Sequence, residues 1–274
     1  MKTVLLINSN TETAPYPVPP VGLCLVASHL AADFHVRVYD GTFDRGNTLA
    51  EVIAETAPDY IGLGIRNIDD VVMENNISYV DTIERDFVDV IHQFSTAPLI
   101  LGGAGYSLFA DALLTRFKAD FGILGEGETV FPALLKALES GDDPAEIPGV
   151  ICRNAEKPCV GPPTFIVQVQ HAARVSIKAD GISIRKSKPG GQNQIEPLFA
   201  NIDSFIDFAP YAKKGSYPVQ TKRGCVYRCV YCSYPLIEGT SYRLRSPQSV
   251  VDEIEAAATR LRMVTFEIVD STLN

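Results

Sequence analysis

Leu99-Ile100-Leu101-Gly102-Gly103 and, after it, Phe121-Gly122-Ile123-Leu124-Gly125-Glu126-Gly127-Glu128 decide the architecture of the first half of this chain. Each is a short apolar run that ends in glycine. Such a run, without polar alternation and closed by a turn signal, suits a strand buried on both faces. Between the two, Leu113, Leu114 and Phe117 recur at helical spacing, so the stretch encloses one strand–helix–strand unit. The alternation continues outward in both directions. Towards the N-terminus, strands are expected at residues 4–7, 36–39 and 60–65. The intervening helices are marked by Leu23, Val26, Ala27 and Leu30; by Leu49, Val52 and Ile53; and by Val80, Ile83, Phe87, Val90 and Phe94. Thr48 and Glu51 have capping-box spacing. Towards the C-terminus, Phe131, Leu134, Leu135 and Leu138 mark a closing helix. Five strands alternating with helices predict an α/β fold over residues 1–145, a flavodoxin/Rossmann-like doubly wound parallel sheet.

A ligand crevice in such a sheet lies beyond the carboxyl ends of its strands. The loops there are residues 8–20, 66–70, 102–107 and 125–128. Glycine lets backbone approach a ligand closely, and helix starts beside it offer free N–H groups. A Gly-Gly pair after a strand is equally compatible with a tight turn. No GxGxxG follows the first strand, which argues against a dinucleotide.

The bulk numbers narrow the partners. With 46% hydrophobic and 21% charged residues, the 274-residue chain is composed to pack a core. Its net charge of −9 is spread along the sequence, which argues against a nucleic-acid partner. No apolar run reaches membrane-span length, the N-terminus reads as a first strand, and six cysteines without a leader fit a reducing cytoplasm.

The chemistry is concentrated in Cys225-Val226-Tyr227-Arg228-Cys229-Val230-Tyr231-Cys232. Three thiolates this close can hold three irons of a 4Fe-4S cluster and leave the fourth open to a small molecule. A zinc knuckle needs four ligands, and Cys152, Cys159 and His171 supply no second pair at zinc spacing. A disulfide framework is disfavoured by the crowding and by the absence of a secretion signal. Cys152 and Cys159 read as unpaired structural thiols, with a second cluster as the alternative.

The order of the pieces carries a resemblance. A first strand, then Pro19-Pro20-Val21-Gly22-Leu23, Leu101-Gly102-Gly103, Gly125-Glu126-Gly127-Glu128 and the CxxxCxxC run resemble the cobalamin-binding radical S-adenosylmethionine (radical SAM) family over essentially the whole chain. The resemblance implies a 4Fe-4S cluster on Cys225, Cys229 and Cys232 that cleaves S-adenosyl-L-methionine to a 5′-deoxyadenosyl radical. It implies a cobalamin bed at Asn8, Ser9, Asn10, Pro20, Arg66, Gly102, Gly103, Gly125, Glu126 and Gly127, and it places Tyr231 beside the adenine. Asn8-Ser9-Asn10-Thr11 stands where many cobalamin modules carry DxHxxG. Cobalamin is therefore expected without a histidine below cobalt, His35 and His29 being a surface and a helix residue.

Residues 146–215 read as an exit from the sheet and a linker with short strands, including residues 165–167 and 182–184. Residues 216–274 read as the first units of a radical SAM (β/α) partial TIM-like barrel: a strand at 219–221, the cysteine loop, a helix capped by Ser246, and a strand at 264–269. Asp270 at that strand's end is a candidate for the amino group of S-adenosylmethionine or for a turn cap. Two units out of about six predict a piece of a longer protein. The expected activity is methyl transfer to an unactivated centre of a small-molecule substrate, with an external electron donor such as a flavodoxin or ferredoxin. Radical cyclisation or rearrangement, and a non-catalytic corrinoid-binding role, are the alternatives. A tRNA methylthiotransferase fits less well, because the N-terminal half holds only Cys24.

Overall fold

The computed structural model describes residues 1–43, 48–70, 77–153 and 203–272 in full, and 173–178 and 181–186 as backbone. Cys159, His171 and the strand expected at 165–167 lie outside the described residues.

β1 (Thr3–Asn8), β2 (His35–Asp40), β3 (Tyr60–Gly64), β4 (Leu99–Gly102) and β5 (Phe121–Ile123) form the parallel sheet that the apolar runs predict, in the order β2-β1-β3-β4-β5. The winding reverses between β1 and β3, which opens a crevice at their carboxyl ends. A sixth strand, β6 (Val150–Cys152), adds antiparallel to β5. The sequence reading took this stretch as an exit from the sheet. Three residues carry too little alternation to announce an edge strand.

Helices cover both faces. α1 (Val21–Leu30) and, further on, α7 (Gly127–Ser140) pack on one, giving a core that includes Leu6, Ala27, Leu30, Phe131 and Leu134. On the other lie α2 (Leu49–Thr56), α3 (Val80–Ile83), α4 (Asp89–Phe94), α5 (Ala104–Leu108) and α6 (Ala110–Arg116), around Ile7, Ile53, Phe87, Leu101 and Phe117. The predicted capping box opens α2: Thr48 Oγ1 accepts from the Glu51 N–H at 3.3 Å, and Thr48 N–H donates to Glu51 Oε2 at 2.6 Å.

Two helix faces differ from the expected pattern. In α1, Cys24 and Leu25 are buried alongside Ala27 and Leu30, while Leu23 and Val26 are only half-buried and line the crevice together with Leu25. Between α3 and α4 the residues Glu84–Val88 form a π-turn, closed by the Asp89 N–H on Glu84 O. A π-turn inserts one extra residue and rotates the helical residues beyond it. Val88 and Ile91 are therefore buried, and Phe94 is 51% exposed.

β7 (Ala173–Lys178) and β8 (Gly181–Lys186) pair as an antiparallel hairpin. α8 (Ala209–Lys214) then leads to β9 (Tyr217–Val219), which pairs in parallel with the last strand, β12 (Phe266–Ile268). Between them lie β10 (Lys222–Arg223), the cysteine loop, α9 (Tyr234–Ile237), β11 (Arg243–Leu244) and α10 (Pro247–Arg260). Ser246 Oγ caps α10 on the Ser249 N–H at 3.1 Å, as expected. This parallel strand–helix–strand unit is of the kind from which β/α barrels are built. Tyr211, Tyr217, Val219 and Ala257 extend the core on the α1–α7 face without a break.

A buried ion pair stiffens the unit. Arg245 Nη1 donates to Glu253 Oε2, to which no apolar pattern pointed, and to Gln220 O at 2.9 Å, while Tyr217 Oη donates to Glu253 Oε1 at 3.0 Å. Burial raises the Glu253 pKa, and the Arg245 contact opposes it. Removing one partner strands a buried charge. Arg245→Ala should lower unfolding stability by about 3–5 kcal/mol, read as a lower urea midpoint at unchanged slope.

Candidate functional site

The carboxyl ends of the sheet strands and the start of the barrel unit face each other across a cavity of about 390 Å³. From the sheet side come Asn8, Asn10, Arg66, Gly102, Gly103, Gly125, Glu126 and Gly127, with Pro20 at the mouth of α1. Leu23, Val26, Leu101 and Phe131 make the deeper wall apolar. From the other side come Pro218, Gln220 and Arg223, just before the cysteine loop, together with Glu238. The crevice and the loop are thus neighbours.

The glycines do different work. A Cβ on Gly102 would meet nothing within 4 Å; its bareness serves the open space. Gly103 has φ +103° and a Cβ there would stand 2.4 Å from Ile65 O. Only glycine tolerates both that conformation and that approach, so Gly103 belongs to the β3–β4 backbone contact as well as to the lining.

Among the residues expected in the bed, Ser9 does not line the cavity; it is buried and its Oγ donates to Gly64 O at 2.9 Å, closing the β1 and β3 ends together. Asn8 lines the cavity and anchors the loop below it. Its Nδ2 donates to Asp40 Oδ1 at 2.8 Å, and Asn10 N–H donates to Asn8 Oδ1 at 3.2 Å. Asp40, 7% exposed, also accepts from Tyr211 Oη at 2.7 Å. This tether crosses from the end of β2 to α8 and was invisible in the sequence, because its partners stand 171 residues apart. A second tether runs from Tyr16 Oη to Glu267 Oε2 at 2.8 Å. His35 is exposed at the start of β2, as expected.

Glu126 lines the crevice, yet its carboxylate is engaged by arginines. Arg243 Nη1 donates to its Oε2 at 2.8 Å and Arg243 Nη2 to its Oε1; Arg223 Nη1 stands 3.3 Å from Oε2. Arg223 Nη2 reaches Glu128 Oε1 at 2.7 Å. Burial pushes the Glu126 pKa up, but the Arg243 hydrogen bond and the two positive charges outweigh it, and the net shift is downward. Glu238 shifts upward through burial; its Oε2 accepts from the Gly224 N–H at 3.1 Å.

The cysteine loop starts at Gly224, whose φ is +88° and whose Cβ would strike Ser241 O. Cys225 is buried, Cys232 half-buried and Cys229 exposed, all as free thiols. Among the described residues, no three His, Cys, Asp or Glu side chains converge closely enough to hold a metal ion. The loop brings the three thiols into one segment without gathering them. Tyr231 is 88% exposed and does not line the cavity. Asp270 accepts from the Thr221 N–H at 2.7 Å, the Lys222 N–H at 3.2 Å and Thr221 Oγ1. Its carboxylate thus caps the backbone entering the cysteine loop.

Residues 7–135 match the model of the B12 binding domain. The whole chain superposes on the radical S-adenosylmethionine methyltransferase TsrM of Kitasatospora setae, solved with cobalamin and a 4Fe-4S cluster, at TM-score 0.75 and 28% identity, covering 98% of this chain and 48% of that one. The chain thus carries a B12-binding domain and is similar, over nearly its whole length, to cobalamin-dependent radical SAM enzymes. It is 28% identical to the tryptophan 2-C-methyltransferase of Streptomyces laurentii over 93% of its length. It is 25% identical to the cytidylyl-2-hydroxyethylphosphonate methyltransferase of Streptomyces wedmorensis over 98%. The chain spans about half the length of these curated relatives, 47% and 55%.

Two outcomes test this geometry. Gly102→Ala should leave the melting temperature near that of the parent, whereas Gly103→Ala should cost about 1–3 kcal/mol for a strained backbone. Native-state alkylation followed by peptide mass mapping should label Cys229 first, since reactivity follows exposure. Cys24 should resist until unfolding, being fully buried with its thiol pKa pushed up by that burial and by the Asp40 charge.

Proposed function

We propose that this chain is the cofactor-binding portion of a cobalamin-dependent radical SAM methyltransferase acting on a small molecule. The observation that carries the reading is adjacency: the corrinoid-type crevice is walled by Pro218, Gln220 and Arg223, the residues that lead into the CxxxCxxC loop. On this reading residues 1–145 hold cobalamin, 146–215 link, and 216–274 begin the barrel.

The residues present fit the groups. Gly102 leaves room that no protein atom fills, and the deeper wall is apolar. Three free thiols in one segment are the donor set of an open-iron cluster. Cys225, Cys229 and Cys232 would hold that cluster, the loop closing around it as the thiols are drawn together. When bound, the cluster with S-adenosyl-L-methionine supplies one-electron cleavage of the sulfonium, and cobalamin supplies the methyl group.

The chain's own groups then orient and exclude. Asn8 and Asn10 line the crevice at the end of β1 and would hold that side of the corrinoid. Asp270 holds the Thr221 and Lys222 amides and so fixes where the cysteine loop departs from β9. Tyr231, solvent-exposed, is free to lie against an adenine. Methyl transfer is favoured over cyclisation or rearrangement because relatives across this length bear methyltransferase names. An external flavodoxin or ferredoxin would supply electrons. Among the described residues no helix is long and apolar enough to cross a membrane, and a cytoplasmic location fits the thiol content.

Anaerobic iron–sulfide reconstitution and EPR of the reduced protein test the reading. A four-iron signal that shifts on adding S-adenosylmethionine is expected, and Cys225→Ala, Cys229→Ala and Cys232→Ala should each abolish it. A parent protein that takes up no cluster and no cobalamin would overturn the proposal.

A further inference from the structure

The Gly125–Glu126–Gly127–Glu128 turn forms one wall of the crevice, yet both of its carboxylates point to the opposite unit. Glu126 is the N-cap of α7 but makes no side-chain capping hydrogen bond. An acidic group at that position would ordinarily serve the helix's own free N–H groups; here it serves Arg243 and Arg223 instead. Arg223 is 11% exposed at its side chain, Glu128 16% and Glu126 30%, so the pairs are shielded from the solvent screening that makes surface ion pairs weak. Arg243 grips both oxygens of Glu126, a forked geometry that fixes orientation as well as distance. It also donates to Glu238 O at 3.0 Å, while the Glu238 carboxylate accepts the Gly224 N–H. Arg223 directly precedes Gly224, and Cys225 comes next. Charged hydrogen bonds joined by short stretches of backbone therefore run from the crevice wall to Gly224, the residue before the first cysteine.

We propose that Glu126 and Glu128 are positioning residues that make the seating of a corrinoid in the crevice set the conformation of the cysteine loop. The inference rests on the corrinoid reading above. A ligand pressing on Gly125, Glu126 and Gly127 fixes the turn; the turn fixes Arg223 and Arg243; these fix both ends of the segment that carries the thiols. The coupling is reciprocal, so order in the loop also favours corrinoid binding. The loop would then gather its thiols in register with the occupant of the crevice.

The test is hydrogen exchange of peptides covering residues 221–232, with and without hydroxocobalamin, in the parent, the Glu126→Gln/Glu128→Gln pair and Glu128→Gln alone. Cobalamin occupancy is followed by absorbance in the same samples. The parent should show exchange in the loop slowed about 5- to 150-fold by cobalamin, the usual span of coupling between sites. The double variant keeps hydrogen-bonding capacity without charge; with hydroxocobalamin raised until absorbance shows the same occupancy as in the parent, that slowing should be lost. Glu128→Gln, which leaves the Arg243–Glu126 fork intact, should retain part of it. Equal slowing in the parent and both variants would overturn the positioning role and leave the corrinoid reading standing. A parent that binds no cobalamin would remove the corrinoid reading and the coupling with it.

Discussion

A parallel sheet buried on both faces leaves the carboxyl ends of its strands as the place where backbone can meet a ligand. Everything functional in this molecule depends on that constraint. Because β1, β3, β4 and β5 run the same way, their terminal residues Asn8, Gly64, Gly102 and the loop at Gly125 arrive at one edge. Because the winding reverses between β1 and β3, the helices diverge there and leave a gap. The barrel unit repeats the arrangement on a smaller scale. β9 and β12 are parallel, so the cysteine loop after β9 and Asp270 after β12 fall at the same end. Two parallel systems set end to end create a cavity between a bare glycine edge and the residues that flank the thiol-bearing loop.

What holds the two systems in register is polar and mostly buried. Tyr211 to Asp40 joins α8 to the end of β2, while Tyr16 to Glu267 and the arginines of the barrel unit to Glu126 and Glu128 join crevice loops to the second unit. Apolar packing on the α1–α7 face brings the units together but is non-directional. Hydrogen bonds and forked ion pairs add the geometry that packing lacks. Asp40 shows the distinction well: a carboxylate buried to 7% exposure is tolerated because Asn8, Thr42 and Tyr211 all donate to it.

The elements legible in advance were those whose signal is local. Continuous apolar runs announced the five parallel strands, and the Thr48–Glu51 and Ser246 caps were read from spacing. Where a local pattern was overridden, the cause is specific. The π-turn at Glu84–Val88 rotated the buried face past Val90 to Ile91. β6 was too short to signal and forms only because β5 offers it an edge. In the candidate site, cysteine spacing and strand-end glycines were visible, but the partners of Glu126 and Asp270 were not, since contacts between distant segments leave no periodicity.

The sequence by itself determined the class of sheet, the edge where its strand-end glycines gather and the close spacing of the three thiols. These depend on residue type and short-range spacing, which sterics and hydrophobic periodicity translate directly into structure. Only the tertiary structure decided that Ser9 closes β1 on β3, that Gly103 answers to the Ile65 carbonyl, and that Asp270 holds the entry to the cysteine loop. It also decided that Glu126, read as part of a cofactor bed, reaches across to Arg223 and Arg243. Which of several possible partners a polar side chain takes depends on what the folded chain brings within about 3 Å of it, and no stretch of sequence encodes that neighbourhood on its own.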